Sequence, residues 1–217
     1  MSATLTTLRD RVEVVLMDTT NAKWDTGTLD EAIRAATAAY SSVCPVQGMT
    51  ALTLATAGRE ISLSSLTTLL HVLRVWWEYT STAPEYPPKW REFEVWPGPV
   101  LWINDGEEPG AGDIVRVFYT SAHTLSGLDS ATVTTIPDAH ITPLVQGTAG
   151  FAALSRAVDR TEMLNVDGWD FKRLQEYAEG QLAHFDAWLK QLATAEAVQR
   201  AGIAPTAALD RWEGHGW

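Results

Sequence analysis

The sequence predicts an α+β protein in which a helical hairpin and two long C-terminal helices form a bundle, with an inserted antiparallel β domain. Three observations predict it. Apolar residues recur at spacings of three and four at both ends of the chain. Short apolar runs separated by Pro- and Gly-containing turns fill the middle. The composition is that of a globular protein, with 46% of its 217 residues hydrophobic, enough to bury a core. The expected organisation is a helical connector domain at residues 1–47 and 138–193, a β-rich insertion at 48–137, and an extended C-terminal docking tail at 194–217.

Leu5, Leu8, Val12, Val15 and Leu16 mark one face of a first helix over about residues 4–18. A loop follows at Asp18-Thr19-Thr20-Asn21. Thr28 and Glu31 have capping-box spacing and predict the start of a second helix, with Leu29, Ile33, Ala36 and Tyr40 on one face. It ends before Pro45. After Gly48, residues 50–56 and 59–63 predict a β-hairpin. Leu69 to Trp77 predicts a strand buried on one or both faces. Ala83-Pro84-Glu85-Tyr86-Pro87-Pro88 is a stiff connector that no ladder can use. Glu92–Trp96, Val100–Ile103 and Ile114–Thr120 predict three further strands, with turns at Pro97-Gly98-Pro99 and Asn104-Asp105-Gly106. Short strands and tight turns imply an antiparallel sheet.

Thr142-Pro143 reads as an N-cap followed by proline in the first turn. Gly147, Gly150, Ala153 and Ala157 then give that helix a small-residue face. Asp167 opens the last helix, whose stripe runs through Phe171, Leu174, Ala178, Leu182, Phe185, Leu189 and Leu192, flanked by Tyr177, Gln181 and Trp188. That apolar arc is wider than one helical partner needs. The expected subunit-interface residues are therefore Gly147, Gly150, Ala153, Tyr177, Phe185, Trp188 and Leu192. Trp212 and Trp217 stand in a polar tail and are the expected docking anchors.

The formal charge is -11, from 27 acidic and 16 basic residues. That balance argues against a protein that grips DNA, since phosphate neutralisation needs clustered Lys and Arg. It suits a wall past which DNA slides. A single cysteine, Cys44, leaves no intrachain disulfide framework. No segment is long and apolar enough to span a bilayer, and no secretory signal is legible, so neither membrane association nor export is expected.

The motifs of phosphate, dinucleotide, zinc and serine-hydrolase chemistry are missing. His123, Ser126 and Asp129 form the best enzyme-like group, but three residues of one short loop rarely converge as a triad, and loop capping is the plainer role. Asp105, Glu107 and Glu108 form an acidic tip without EF-hand spacing. Arg156 and Arg160 lie one helical turn apart, where pairing with Asp159 or Glu162 outweighs phosphate contact. No cofactor, metal or catalytic residue is expected, and the chain reads as a non-enzyme.

Two stretches carry a resemblance. Leu8-Arg9-Asp10-Arg11-Val12, Leu16-Met17-Asp18-Thr19, Trp24 and Leu29-Asp30-Glu31-Ala32-Ile33 form the first. The second comprises Val115-Arg116-Val117-Phe118-Tyr119, His123-Thr124-Leu125, Leu128-Asp129 and Val145-Gln146-Gly147-Thr148-Ala149-Gly150. Together they are similar to head–tail connector (adaptor) proteins of tailed bacteriophages. The resemblance implies a homo-oligomeric ring, commonly of about twelve copies, below the portal protein. Such a ring extends the channel for genomic DNA, which passes without sequence-specific binding, and offers a platform to a tail or nozzle protein. It implies a place in the neck of the virion, with assembly in the host cytoplasm. The substantial β insertion departs from the largely helical pattern of such connectors. Another neck or tail-completion protein is the nearest alternative. A carbohydrate-binding β module is the remote one, and it requires Trp90, Trp96 and Trp102 on one exposed face.

Overall fold

Helix α1 (Leu5–Val15) starts at a capping box that lies one helix earlier than expected. The Thr7 N–H donates to the Thr4 hydroxyl at 3.3 Å, and the Thr4 N–H donates to the Thr7 hydroxyl at 2.8 Å. Helix α2 (Thr26–Val43) is capped by Asp25, not by Thr28. Three residues ahead of Thr28, the Asp25 carboxylate accepts the Thr28 N–H at 2.9 Å and its hydroxyl at 3.1 Å. A carboxylate at a helix N-terminus is the stronger acceptor there. Glu31 turns instead to Arg34 at 2.6 Å. The computed structural model describes residues 3–80, 82, 87–161 and 168–202, with side chains left undescribed at 159–161, 168–171 and 197–202.

The chain divides into two compact units, residues 1–44 with 124–217, and residues 45–123. In the first, α1 and α2 pack with α3 (Ile141–Thr161) and α4 (Gly168–Gly202). Leu8, Val12, Leu29, Ile33, Leu144, Ala149 and Ala152 are buried at its centre. The segment after residue 123 belongs here and not to the β insertion, because Leu125, Leu128 and Ile136 are buried in the same helical core. A 3-10 turn at Asp138–His140 leads into α3, so Thr142 lies inside the helix and does not cap it. Its hydroxyl accepts from Arg11 at 2.9 Å. Asp167 lies outside the described residues. Helix α4 runs to Gly202, well past the expected end at 193.

Among the described residues, the second unit holds seven strands: β1 (Val46–Thr53), β2 (Glu60–Ser62), β3 (Leu69–Trp77), β4 (Trp90–Arg91), β5 (Phe93–Trp96), β6 (Val100–Ile103) and β7 (Ile114–Ser121). All pairings are antiparallel. They form a four-stranded sheet in the order β1-β7-β3-β4 and a three-stranded sheet in the order β2-β6-β5. The expected hairpin over residues 50–63 does not form. β1 pairs with β7 from Val46↔Ser121 to Thr53↔Ile114, and β2 pairs with β6. Each finds a longer-range strand whose apolar face matches its own. Ile61, Leu63, Val75, Trp77, Leu101, Ile103, Val115 and Val117, drawn from both sheets, share one core. No helix among the described residues is long and apolar enough to cross a membrane.

Candidate functional site

The surfaces of this protein are assembled from five local arrangements. Helix α1 ends in a Schellman motif, with Asp18 N–H donating to Glu13 C=O at 2.9 Å and Met17 N–H to Val14 C=O at 3.2 Å. The left-handed residue of that motif is Met17, at φ 52°, where glycine is the usual choice. Its side chain is 88% exposed, beside Val14 at 65%. Val14 and Val15 line a shallow groove of about 370 Å³ with Asp10, Arg11, Thr142 and Val145.

Asp18 then closes the α1–α2 loop. Its buried carboxylate accepts the backbone N–H groups of Ala22 at 3.1 Å, Lys23 at 2.7 Å and Trp24 at 2.9 Å. Burial pushes the Asp18 carboxyl up, but the three N–H donors outweigh it and hold it below its ordinary value. Trp24, buried by this turn, donates its indole N–H to the Ala152 carbonyl of α3 at 3.2 Å. The Arg156 guanidinium lies 4.9 Å from the Trp24 ring centroid, a cation–π contact; its expected partners, the Asp159 side chain and Glu162, lie outside the described ones. The Arg160 side chain lies outside the described ones.

The expected subunit-interface residues are largely consumed within one chain. A methyl group at Gly147 would lie 2.6 Å from Phe185 Cγ, and one at Gly150 would lie 2.9 Å from Leu182 Cγ. The small-residue face of α3 therefore receives α4 of the same chain. Ala153 is fully buried and Phe185 is 1% exposed. Tyr177, Trp188 and Leu192 are half-buried against the same core. Tyr177 keeps a buried hydroxyl without a partner, and burial pushes that phenol up. Among the described residues of α4, no large apolar side chain is exposed, because two helices of the same chain, α2 and α3, cover its wide stripe. Trp188 stacks on Tyr40 at 5.7 Å and on Phe185 at 5.8 Å. The Tyr40 hydroxyl sits 2.6 Å from His140 Nδ1, and burial, with Cys44 and Glu196 adding to it, pushes that phenol far up. Trp212 and Trp217 lie outside the described residues.

The acidic tip is braced from within. Asp105 takes Arg91 and its neighbour's Gly106 N–H, while Arg59 donates to the Ile103 and Asp105 carbonyls. The Arg91 hydrogen bond, first, holds the Asp105 carboxyl below its ordinary value. Among the described residues, no group of three His, Cys, Asp or Glu side chains is placed to hold a metal. Asp129 is held by Arg34 of α2 at 2.7 Å, and the Ser126 carbonyl accepts the Leu5 N–H at 2.9 Å. Those two residues tie a loop to the helices. Ser126 and Asp129 belong to the helical unit and His123 to the β unit.

The fifth arrangement, on the four-stranded sheet, has no counterpart in the sequence analysis. On the face of the four-stranded sheet away from its core, register places Met49 beside Phe118 and Phe118 beside Arg74. Arg116 lies beside Trp76, and Trp76 beside Trp90. The alternation of Arg74, Trp76, Arg116 and Phe118 was the available signal, since residues two apart share a strand face. Trp96 and Trp102 instead stack on each other at 4.5 Å in the other sheet. Trp90, Trp96 and Trp102 are thus split between two sheets, unlike a sugar-binding row.

No family model matches the chain, and no curated protein matches it. Among solved structures, it is similar to a chain from the neck of an empty GTA particle computed with C6 symmetry. The likeness covers 75% of this chain and 79% of that one, at 15% identity and a TM-score of 0.32. A likeness of that size assigns no role.

Proposed function

We propose that this chain is a structural neck protein of a tailed phage or phage-like particle. In the finer reading it is the head–tail adaptor, a ring of about twelve copies under the portal that extends the DNA channel and seats a tail or nozzle protein. One observation carries the proposal. The two stretches that resemble connector proteins are far apart in sequence, yet the first packs in one helical unit with the part of the second from Leu125 onward, while Val115–Tyr119 lie on β7 of the other unit. Leu8, Val12, Leu16, Trp24, Leu29 and Ile33 from the first share a core with Leu125, Leu128, Val145 and Ala149 from the second. Arg34, the residue that follows the first stretch, pairs with Asp129 of the second. A formal charge of -11 supports a lumen through which DNA moves without adhering. The exposed end of α1, at Val14 and Met17, supplies an apolar contact surface.

The test is electron microscopy of the chain mixed with the portal of its own particle. A closed ring of added density below the portal is the expected image. A portal left undecorated at saturating concentration would refute the adaptor reading, and density on the tail side alone would favour a tail-completion role. Removal of residues 203–217, with Trp212 and Trp217, is expected to preserve the circular dichroism spectrum and weaken portal binding. Undiminished decoration by that truncated chain removes the docking role of the tail.

A further inference from the structure

The outer face of the four-stranded sheet offers hydrogen-bond donors that the chain itself leaves short of acceptors. The Arg116 guanidinium lies 4.4 Å from the Tyr79 ring centroid and 5.4 Å from that of Phe118, and its Nη2 donates to the Met49 thioether. Thioether sulfur is a weak acceptor and carries no charge to balance the guanidinium. The Arg74 guanidinium lies 5.2 Å from the Trp90 ring centroid. Trp76, between Arg116 and Trp90 in the register, has a buried indole N–H with no acceptor. Among the described residues, Arg9, Arg34 and Arg91 each have a carboxylate partner, whereas no ion pair reaches Arg74 or Arg116. Around these donors, Met49 is 59% and Trp90 44% exposed.

We infer that this face is an interface with a second copy of the same chain, whose carboxylates pair with Arg74 and Arg116 and whose apolar side chains cover Met49 and Trp90. Arginine beside tryptophan and tyrosine is the composition of interface centres. Charge selects the occupant. With 27 acidic against 16 basic residues, a second copy brings the carboxylates that these guanidinium groups lack. The exposed neighbours Glu107 and Glu108 are one such source. The contact is heterologous, a basic patch meeting a different, acidic one. Other ligand classes fit less well. The Trp90 ring is already met by Arg74 and, in a T-shaped contact at 5.6 Å, by Phe118, which leaves poor access for a stacked sugar. Two arginines on a chain of this net charge make no phosphate-binding track. The inference is independent of the neck reading, since it concerns the isolated chain.

Sedimentation velocity over a wide concentration range, at low and high salt, tests it. The unsubstituted chain is expected to associate reversibly, and more weakly as salt rises. Arg74→Glu with Arg116→Glu is expected to raise the dissociation constant at least about tenfold, since reversing a paired charge sets carboxylate against carboxylate. Met49→Glu guards against a misfolded double variant. It alters an exposed side chain and gives Arg116 a carboxylate within its own chain. It is expected to abolish association while leaving the circular dichroism spectrum unchanged. A chain that sediments as a monomer at every concentration overturns the inference and leaves the face to another acidic protein. Association that is indifferent to Met49→Glu and to salt overturns it as well.

Discussion

Replacing Gly147 by alanine separates the two effects that govern the α3–α4 seam. An alanine in the interior of a helix ordinarily gains about 1 kcal/mol over glycine, through lost backbone entropy in the unfolded chain. At Gly147 the added methyl would stand 2.6 Å from Phe185 Cγ and 2.8 Å from both Cδ atoms. Cγ is the attachment point of the ring, so it retreats only if α4 shifts or χ1 leaves its well. Overpacking of that kind costs about 1–3 kcal/mol. The steric term wins, and Gly147→Ala is expected to destabilise the helical unit by about 1 kcal/mol net. Gly180, in α4, has nothing within 4 Å of its built Cβ. Gly180→Ala is the internal control, expected to stabilise by about 0.5–1 kcal/mol. Phe185→Ala alone is expected to cost about 3–5 kcal/mol. On that background the Gly147→Ala penalty disappears, so the double-mutant cycle gives a coupling of about 1–3 kcal/mol. Urea unfolding followed by far-ultraviolet circular dichroism reads the helical transition separately from the β unit. If Gly147→Ala stabilised the protein as much as Gly180→Ala does, the packing argument for this seam would be wrong.

Three further outcomes follow from the helical unit. Asp18→Asn removes a carboxylate that accepts three backbone N–H groups. The folded carboxyl lies below its ordinary 3.8, so its contribution is present above that pH and is lost as pH falls through the lowered folded value. Unfolding measured against pH should show the wild-type advantage over Asp18→Asn at neutrality and its loss in strong acid; a constant difference would sink this assignment. Met17→Gly relieves a left-handed backbone at φ 52° under an exposed side chain, and should raise stability by about 1 kcal/mol in the same urea assay. Destabilisation would mean that the Met17 side chain contributes packing within the chain. Arg9→Lys should lose about 1 kcal/mol, because Asp30 is held through two hydrogen bonds, both 2.6 Å, and an ammonium cannot reproduce that fork. Equal stability of the lysine variant would show the pair to be worth little.

Both C-terminal helices and most strands were legible because their patterns are local. Leu8 and Val12 lie on one helical face whatever they touch, and Trp76 must oppose Val75 and Trp77 on a strand. The α2 cap was misplaced for a local reason too: two acceptors, Asp25 and Thr28, stood within reach, and the carboxylate prevailed. The hairpin over residues 50–63 failed for a non-local one. Adjacent strands of suitable pattern were available, but β7 offered β1 eight paired positions from Val46 to Thr53. The surfaces were less legible than the elements. The apolar arc of α4 is readable from Leu174 to Leu192, yet periodicity does not say whether that arc faces its own α3 or a neighbouring chain.

By itself, the sequence determined the α+β class, the order of helices and strands, the acidic charge and the small-residue face at Gly147 and Gly150. Those properties follow from side-chain periodicity, turn chemistry and composition, which involve residues near in sequence or summed over the chain. Only the tertiary structure decided that Phe185 fills the Gly147 notch, that Leu125 and Leu128 join the helical core, and that Arg74, Trp76, Arg116 and Trp90 share one sheet face. Partner choice and strand register depend on contacts between residues distant in sequence, and no local pattern encodes which of several compatible partners buries the larger apolar surface.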